Sequence, residues 1–562
     1  MPLRNNKTKR TKYIFISGGV ISGIGKGITS ASIALLLKSA GYKVAPIKFE
    51  NYLNLDAGTI NPIEHGDVFL CDDGTEADMD IGTYEKFLNQ EMGEKNFVTI
   101  GKIYKTVMDK ERRFEYSGQT VEAIPHVTNE IMRRIELVAL DNDIVLIELG
   151  GTAGEYQNIL YYEASRIMTL RKPGDVVHVH VSYVPVPKHL GEPKTKPTQL
   201  SVRTLNSMGI QPDFVVARCD SVLDKRRLDR FALFCNMHED DIIASPDVES
   251  IYEIPIVLQK QGLHARILKK LGLPQKKVNL VNLSSLLKKI KAKKNQKIKI
   301  GIVGKYFSTG DYKLRDAYAA LLDAIEHASW ENAVDIETVW IDAEKIEKKG
   351  DSIIGKIDGI IVPIGWGVRG AEGMITAASY ARRKKIPYLG LCYGMQLAVV
   401  SFARDILGWK DANTQENNAK SQHQVIHLIP KQKEIMERRS YGGTMRLGAW
   451  DARVEKNTRA FEIYKHHKAF KNKQEGLISE RHRHRYEFNQ EFEADFIKKG
   501  LIISSKSVVE NLVEIIELPR SVHPFFVGIQ GHPEYKSRPN FPHPLFTEFI
   551  KEAQSYSKKR EH

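Results

Sequence analysis

Cysteine is scarce in this 562-residue chain: Cys71, Cys219, Cys235 and Cys392 lie far apart, with no Cys-x-x-Cys pair among them. That excludes a disulfide scaffold and a thiolate zinc cluster. Long apolar runs are also missing, since nowhere do roughly 18 consecutive apolar residues occur, the length a membrane-crossing helix needs. The N-terminal stretch RNNKTKRTK has no apolar core of the kind a secretory signal carries. These absences lead us to expect a soluble protein in a reducing, cytoplasmic setting without a membrane partner. What is present is ordinary for a globular enzyme: 42% hydrophobic and 27% charged residues, in a chain long enough for roughly two to four domains. The net charge of +14 is concentrated in the N-terminal arm and in LLKKIKAKKNQKIKI near the middle. We read both as solvated segments and expect no nucleic-acid partner, although a basic surface also suits polyanionic nucleotides.

Apolar runs of strand type alternate with helical patterns, which predicts an α/β chain. KYIFISGG, KVAPIKF, DIVLIELGG, DVVHVHVSYVPV and PDFVVARCD read as strands of a largely parallel sheet. After residue 272 the pattern dissolves into a Lys-rich segment, and a fresh strand starts in KIKIGIVGKY. The expected partition is a first domain over 1–272, a basic linker over 273–296 and a second domain over 297–562. In the second half AVDIETVWI, GIIVPIG, YLGLC, VEIIEL and FFVGIQGH are the strand candidates, while the polar stretch 410–500 is left unassigned. No internal repeat is found.

In LGLCYGMQ a cysteine stands between a short apolar strand and a helical pattern, fenced by glycines. Gly-x-Cys-x-Gly is the pattern of a nucleophile elbow, and a helix N-terminus behind the sulfur favours its thiolate. A buried structural cysteine is the alternative. GIQGHPEY supplies the missing partners about 140 residues downstream: His532 to move the proton and Glu534 to orient the imidazole. Together these motifs resemble the class I glutamine amidotransferase family, which releases ammonia from glutamine. VPIGWGVRG matches that family's oxyanion loop, so the resemblance implies oxyanion donors at the backbone N–H groups of Gly365 and Tyr393. The family usually has Gly-Gly where this chain has Ile364-Gly365. A positive φ at the first of these positions would strain isoleucine.

The first half contains SGGVISGIGKGITS, close to a phosphate loop but off its pattern: Val20 stands where the first glycine is required, and Gly27 follows Lys26 in place of Ser or Thr. A glycine-rich turn at a helix N-terminus cradles phosphate through its N–H groups all the same. Without the loop hydroxyl, a Mg²⁺ ion must find oxygens elsewhere. CDDGTEADMD and the strand-end Glu148 are the candidates, a solvated acidic loop being the alternative for the former.

GGVISGIGKGI, NLDAGTINPIEHGDVFLCDDGTEADMDIG, KERRFEYSGQTVEAIPH, IELGGTAGE, GEPKTKPTQLSVR, GGTMRLG and RHRHRYE together closely resemble the CTP synthase family along nearly the whole chain. The resemblance implies a P-loop-like, Rossmann-type synthetase domain joined to an α/β class I glutamine amidotransferase domain. It further implies ATP-driven phosphorylation of O4 of UTP, displacement of that phosphate by ammonia, activation by GTP, feedback by CTP, and a homotetramer, with assembly into filaments left open. Carried onto this sequence, Gly23, Ile24, Gly25, Lys26, Gly27 and Lys48 would hold ATP, with Asp80 and Glu148 on Mg²⁺. Ser22, Glu155, Tyr156, Gln157, Lys194, Thr195, Lys196, Gln199 and Arg230 would line the UTP and CTP site. Gln396, Glu416 and Arg485 would hold glutamine, and His65, Arg369 and Glu372 would sense GTP. The chain departs from the family at Glu50 and Arg230, where Asp and Lys are common, and at Glu155-Tyr156-Gln157, which replaces Asp-Ile-Glu; altered CTP feedback is the expectation. The alternating histidines of RHRHR could share one strand face and suggest a metal site, but the interleaved arginines argue against it. Two rival readings are a different glutamine-dependent amidoligase and an assembly protein that has lost activity.

Overall fold

The structure is a computed structural model that describes residues 10–62, 66–220, 223–294, 296–305, 308–309, 312–313, 316–438 and 442–561. Contacts divide the chain into two compact units, one formed by 1–56 with 80–287 and the other by 57–79 with 288–562. The first domain expected over 1–272 is therefore interrupted: 57–79 packs with the second unit. The expected linker at 273–296 holds the helix Val281–Lys291. Its Leu283 and Leu286, one turn apart, are buried while the lysines point outward, an amphipathic pattern hidden beneath the charge of the segment.

The first unit is built on a seven-stranded, all-parallel sheet. Its strands are β1 (Lys12–Gly19), β2 (Val44–Glu50), β3 (Phe97–Thr99), β4 (Ile144–Leu149), β5 (Val176–Tyr183), β6 (Phe214–Cys219) and β7 (Ile242–Pro246). They lie in the order β3-β2-β4-β1-β5-β6-β7. Strands buried on both faces read as continuous apolar runs, as IVLIEL in β4 does. The loops after β1, β2 and β4 share one edge, the usual place for a ligand in such sheets.

In the second unit β8 (Lys297–Gly304), β9 (Asp335–Asp342), β10 (Gly359–Val362), β11 (Tyr388–Leu391), β12 (Arg446–Val454), β13 (Leu477–His484), β14 (Ile502–Ser507), β15 (Val513–Glu517) and β16 (Phe526–Ile529) form one sheet. The order is β9-β8-β10-β11-β16-β15-β14-β12-β13, parallel from β9 to β16 and antiparallel beyond. Two apolar clusters cover its faces. Strands β12 and β13 fall within the stretch left unassigned, because their partly polar sequences serve an antiparallel extension. Among the described residues no helix is long and apolar enough to cross a membrane.

Candidate functional site

Strand β11 ends at Leu391, and the next residue, Cys392, caps the helix Tyr393–Phe402 with φ 49° and ψ −101°. For a residue with a Cβ this is a strained conformation, held here because β11 is hydrogen-bonded on both sides and Cys392 N–H donates to Ile529 O at 2.7 Å. The elbow read from Gly-x-Cys-x-Gly is thus present. Gly394 is required by close approach: a Cβ there would lie 1.9 Å from Val362 O.

The adjacent strand β16 delivers His532, whose Nδ1 is 2.8 Å from Glu534 Oε1; both side chains are buried. Burial opposes a charge on this imidazole, but Glu534 and then Cys392 more than offset it and raise its pKa to about 10. Among the described residues Nε2 makes no hydrogen bond of ordinary geometry, and Cys392 lies close enough to act on its charge. Gln530, two residues earlier, points its Nε2 at Cys392 Sγ from 3.6 Å and accepts from Gln396 Nε2 at 3.2 Å. Its position in GIQGHPE was the signal for it, yet Gln530 was absent from the sequence-derived set.

Because the folded His532 pKa lies above the ordinary 6.5, the His532–Glu534 pair adds stability fully below that value and loses it as the pH rises through about 10. The melting-temperature gap between the intact chain and Glu534→Gln should therefore be widest below about pH 6.5, narrow progressively above it and close towards pH 10; a series of melts across this window checks it.

A cavity of about 200 Å³ opens on Cys392, lined also by Gly365, Trp366, Gln396, Glu416, His484 and Arg485. Its size suits one amino acid. Glu416 Oε1 accepts from Gly367 N–H at 2.8 Å, and burial raises its pKa against the pull of that N–H group and Lys305. Arg485 donates to Gln432 and, at 2.9 Å, to Thr444 Oγ1. Lys305, which sequence reasoning missed at the end of β8, donates to the carbonyls of Trp366 and Gly367, and burial brings its pKa down to about 8. The oxyanion loop corrects one expectation: Ile364 does not adopt a positive φ and is buried in an apolar cluster, so no strain arises there. Gly365 needs its bare Cα for another reason, since a Cβ would meet Lys305 Cε and Tyr393 Cδ1 at 3.0 Å. Gly365→Ala should lower glutamine hydrolysis about 10- to 100-fold, the scale of a misdirected oxyanion donor, and leave ammonium-dependent turnover intact; parallel assays with the two nitrogen sources check this.

Arg369 bonds to Glu344 Oε1 at 2.8 Å and Lys305 O at 3.1 Å, and Glu372 to Arg404 at 2.6 and 3.0 Å. His65 lies outside the described residues. His482 and His484 are buried around the Arg446 guanidinium, 3.2 and 3.3 Å away; burial and then that charge hold both imidazoles neutral. Among the described residues neither belongs to a grouping of three metal-ligand side chains.

In the first unit the loop after β1 carries Val20 at φ 79°, Gly23 at 69° and Gly25 at 90°. Val20, standing where the usual motif has glycine, adopts the left-handed conformation that glycine would take without strain. Ser22 and Gly23 are exposed, Ile24 is buried, and Lys26 and Gly27 open the helix Lys26–Ser39. Lys26 donates to Gly151 O, and its pKa is lowered by burial and by nearby Lys48. Lys48, on β2, sits among Asp80 at 2.6 Å, Glu148 at 2.7 Å and Glu50 at 3.1 Å. Burial disfavours its charge, but the three carboxylates hold it well above the ordinary lysine range. Asp80 also lies against Gly27, where a Cβ would fall 2.3 Å from Oδ1. Three carboxylates already converging on one cation, with oxygen donors only, fit a hard divalent ion.

The loop Gly150–Gln157 borders this cluster. Glu155 folds back to accept from Thr152 N–H and Oγ1, both at 2.7 Å, while Tyr156 is 95% exposed and Gln157 is exposed. Thr195 Oγ1 accepts from Gln199 Nε2 at 3.0 Å at the start of the helix Lys196–Ser207; Lys194 pairs with Glu192, and Lys196 and Arg230 are exposed.

Comparison with known proteins agrees with this geometry in both units. The profile for the CTP synthase N-terminus matches residues 12–273, and that for class I glutamine amidotransferases matches 313–552. The chain is 45% identical to a CTP synthase of Pyrococcus abyssi over 98% of its length and 99% of the relative's. It is 43% identical to one of Clostridium acetobutylicum over 98% and 100%. A solved glutaminase domain of Trypanosoma brucei CTPS with bound acivicin is 35% identical over 46% of this chain and 94% of that one, with a TM-score of 0.40. With a cysteine elbow answered by His-Glu in one unit, a lysine-centred carboxylate cluster beside a glycine loop in the other, and near full-length relatives, the chain belongs to the CTP synthase family.

Proposed function

We propose that this enzyme, which carries out the glutamine-dependent amination of UTP to CTP, does so through two chemical sites. The pairing of a buried Cys-His-Glu site with a Lys48-centred carboxylate cluster carries the reading. In the glutaminase half Glu416 and Arg485 bind the charged end of glutamine, Cys392 attacks its amide, His532 passes the thiol proton to the amide nitrogen so that it leaves as ammonia, and water then hydrolyses the thioester to glutamate. Gly365 and Tyr393 N–H groups hold the oxyanion. In the synthetase half the N–H groups of Gly23–Gly27 cradle the ATP phosphates, while Lys26 and Lys48 neutralise them. Asp80 and Glu148 would hold Mg²⁺, which when bound offsets charge on the transferring phosphoryl group. Ser22, Lys194, Thr195, Lys196, Gln199 and Arg230 orient the pyrimidine nucleotide so that O4 receives the phosphoryl group. A carbonyl oxygen leaves poorly and phosphate leaves well, so activation precedes attack by unprotonated ammonia.

UTP labelled with ¹⁸O at O4 tests this order: the label should appear in inorganic phosphate, and its retention elsewhere contradicts the phosphorylated intermediate. GTP, sensed at His65, Arg369 and Glu372, should stimulate the glutamine-dependent rate and leave the ammonium-dependent rate unchanged. CTP inhibition should be weaker than in a family member carrying Asp-Ile-Glu at 155–157, because Glu155 is already engaged by Thr152; an inhibition curve of equal or greater strength contradicts this. A homotetramer and a cytoplasmic location complete the reading, the latter supported by four free cysteines.

A further inference from the structure

The RHRHR strand has two faces, and the family reading accounts for only one of them. His482 and His484 face Arg446, and His484 lines the glutamine cavity. Arg481 and Arg483, which alternate with them, grip a segment that the sequence places inside the other half. Arg481 Nε is 2.5 Å from Asp72 Oδ1, and Arg483 Nε is 2.6 Å from Glu76 Oε1, with all but Asp72 buried. Lys536 adds a contact to Asp72 at 3.4 Å. The gripped segment is a small antiparallel hairpin, Val68–Leu70 with Glu76–Asp78. Its seat is tight: Glu76 lies against Gly58, where a Cβ would fall 2.0 Å from Oε2.

From Arg483 the contacts run on into the glutaminase. The guanidinium stacks over the Trp366 ring at 4.9 Å from its centre. Trp366 is flanked by Gly365, the candidate oxyanion donor, and Gly367, whose N–H is bonded to Glu416. Upstream, Asp67 Oδ1 is 3.5 Å from the hydroxyl of Tyr535, the neighbour of Glu534. Burial and then the charge of Glu534 raise the Asp67 pKa to about 7, so the hairpin and the triad also feel each other electrostatically. Downstream, the chain passes from Met79 directly to Asp80, the residue read as a cation ligand.

The geometry points to a strap: the stretch Asp67–Met79, clasped by Arg481 and Arg483, passes the state of Asp80 to the oxyanion loop through Glu76, Arg483 and Trp366. Glu76 and Arg483 are then positioning residues for glutamine hydrolysis, acting through the loop. The inference rests on the reading of Asp80 as the ligand of the nucleotide-bound cation.

The test compares glutamate release from glutamine with and without ATP, UTP and Mg²⁺, beside ammonium-dependent CTP formation. In the intact chain the nucleotides should stimulate glutamate release at least fivefold. Glu76→Gln keeps the shape and removes the charge, and Arg483→Met keeps the packing on Trp366 and removes the link. Each should retain basal glutamine hydrolysis and ammonium-dependent CTP formation within twofold yet lose most of the stimulation, with Glu76→Asp restoring part of it. Stimulation retained within twofold of the intact chain in both variants, or basal and stimulated hydrolysis falling in proportion, overturns the strap, as does an intact chain that ignores the nucleotides. Asp80→Asn separates the two readings. If it keeps ammonium-dependent CTP formation while Glu76→Gln still erases stimulation, the ligand assignment fails and Asp80 is not the origin of the signal, while Glu76 and Arg483 keep their positioning role.

Discussion

Replacing Cys392 by alanine is expected to lower glutamine-dependent CTP formation by roughly 10⁴-fold or more, the scale on which loss of a nucleophile acts, with ammonium-dependent formation nearly unchanged. The selectivity follows from where the strain sits. Cys392 is held at φ 49° by its sheet and helix neighbours, and alanine meets the same backbone demand, so the elbow keeps its shape without the sulfur. His532 and Glu534 stay paired, and their unit keeps its core. Since the phosphate loop and its carboxylates belong to the other unit, free ammonia bypasses the loss. Initial rates with each nitrogen source, for both proteins, check this; equal losses with the two sources contradict it.

Lys48→Met has the opposite signature. CTP formation should fall at least 100-fold with glutamine and with ammonium alike, because the lysine, proposed to neutralise the ATP phosphates, would serve the step common to both. Stability should fall too. Glu148 is fully buried and, among the described residues, keeps the Tyr84 hydroxyl as its one side-chain hydrogen-bond donor once the ammonium is gone. Stranding one partner of a buried ion pair costs about 3–5 kcal/mol. Added Mg²⁺ should return part of that loss, since an ion held by Asp80 and Glu148, as proposed, would replace the missing charge, so the gain in melting temperature with Mg²⁺ should be larger for Lys48→Met than for the intact chain. Thermal melts with and without Mg²⁺ check the point; a variant as stable as the intact chain contradicts the central place given to Lys48.

Legibility differed by region for physical reasons. Strands buried on both faces, such as IVLIEL, announced themselves as apolar runs, and the Cys392, His532 and Glu534 motifs were readable because each lies at a strand end within a short pattern. The stretch 410–500 was opaque: β12 and β13 carry arginines and histidines that are buried through pairing with charged partners, so hydropathy does not mark them as strands. Residues 57–79 could not be assigned to the second unit from sequence, since charge pairs such as Glu76–Arg483 join positions more than 400 residues apart. Lys48 was read as a phosphate ligand, but nothing local told that three carboxylates meet on it. Ile364 shows the reverse error, where a family glycine suggested a backbone strain that this loop does not have.

The most direct test of the two-site account follows the nitrogen itself. Amide-¹⁵N glutamine supplied with UTP, ATP, Mg²⁺ and GTP, in the presence of unlabelled ammonium, should place ¹⁵N on the exocyclic amine of CTP with the intact chain and leave CTP unlabelled with Cys392→Ala. Unlabelled CTP from the intact chain, or labelled CTP from the variant, contradicts delivery of ammonia from a Cys392 glutaminase to an ATP-dependent amination site.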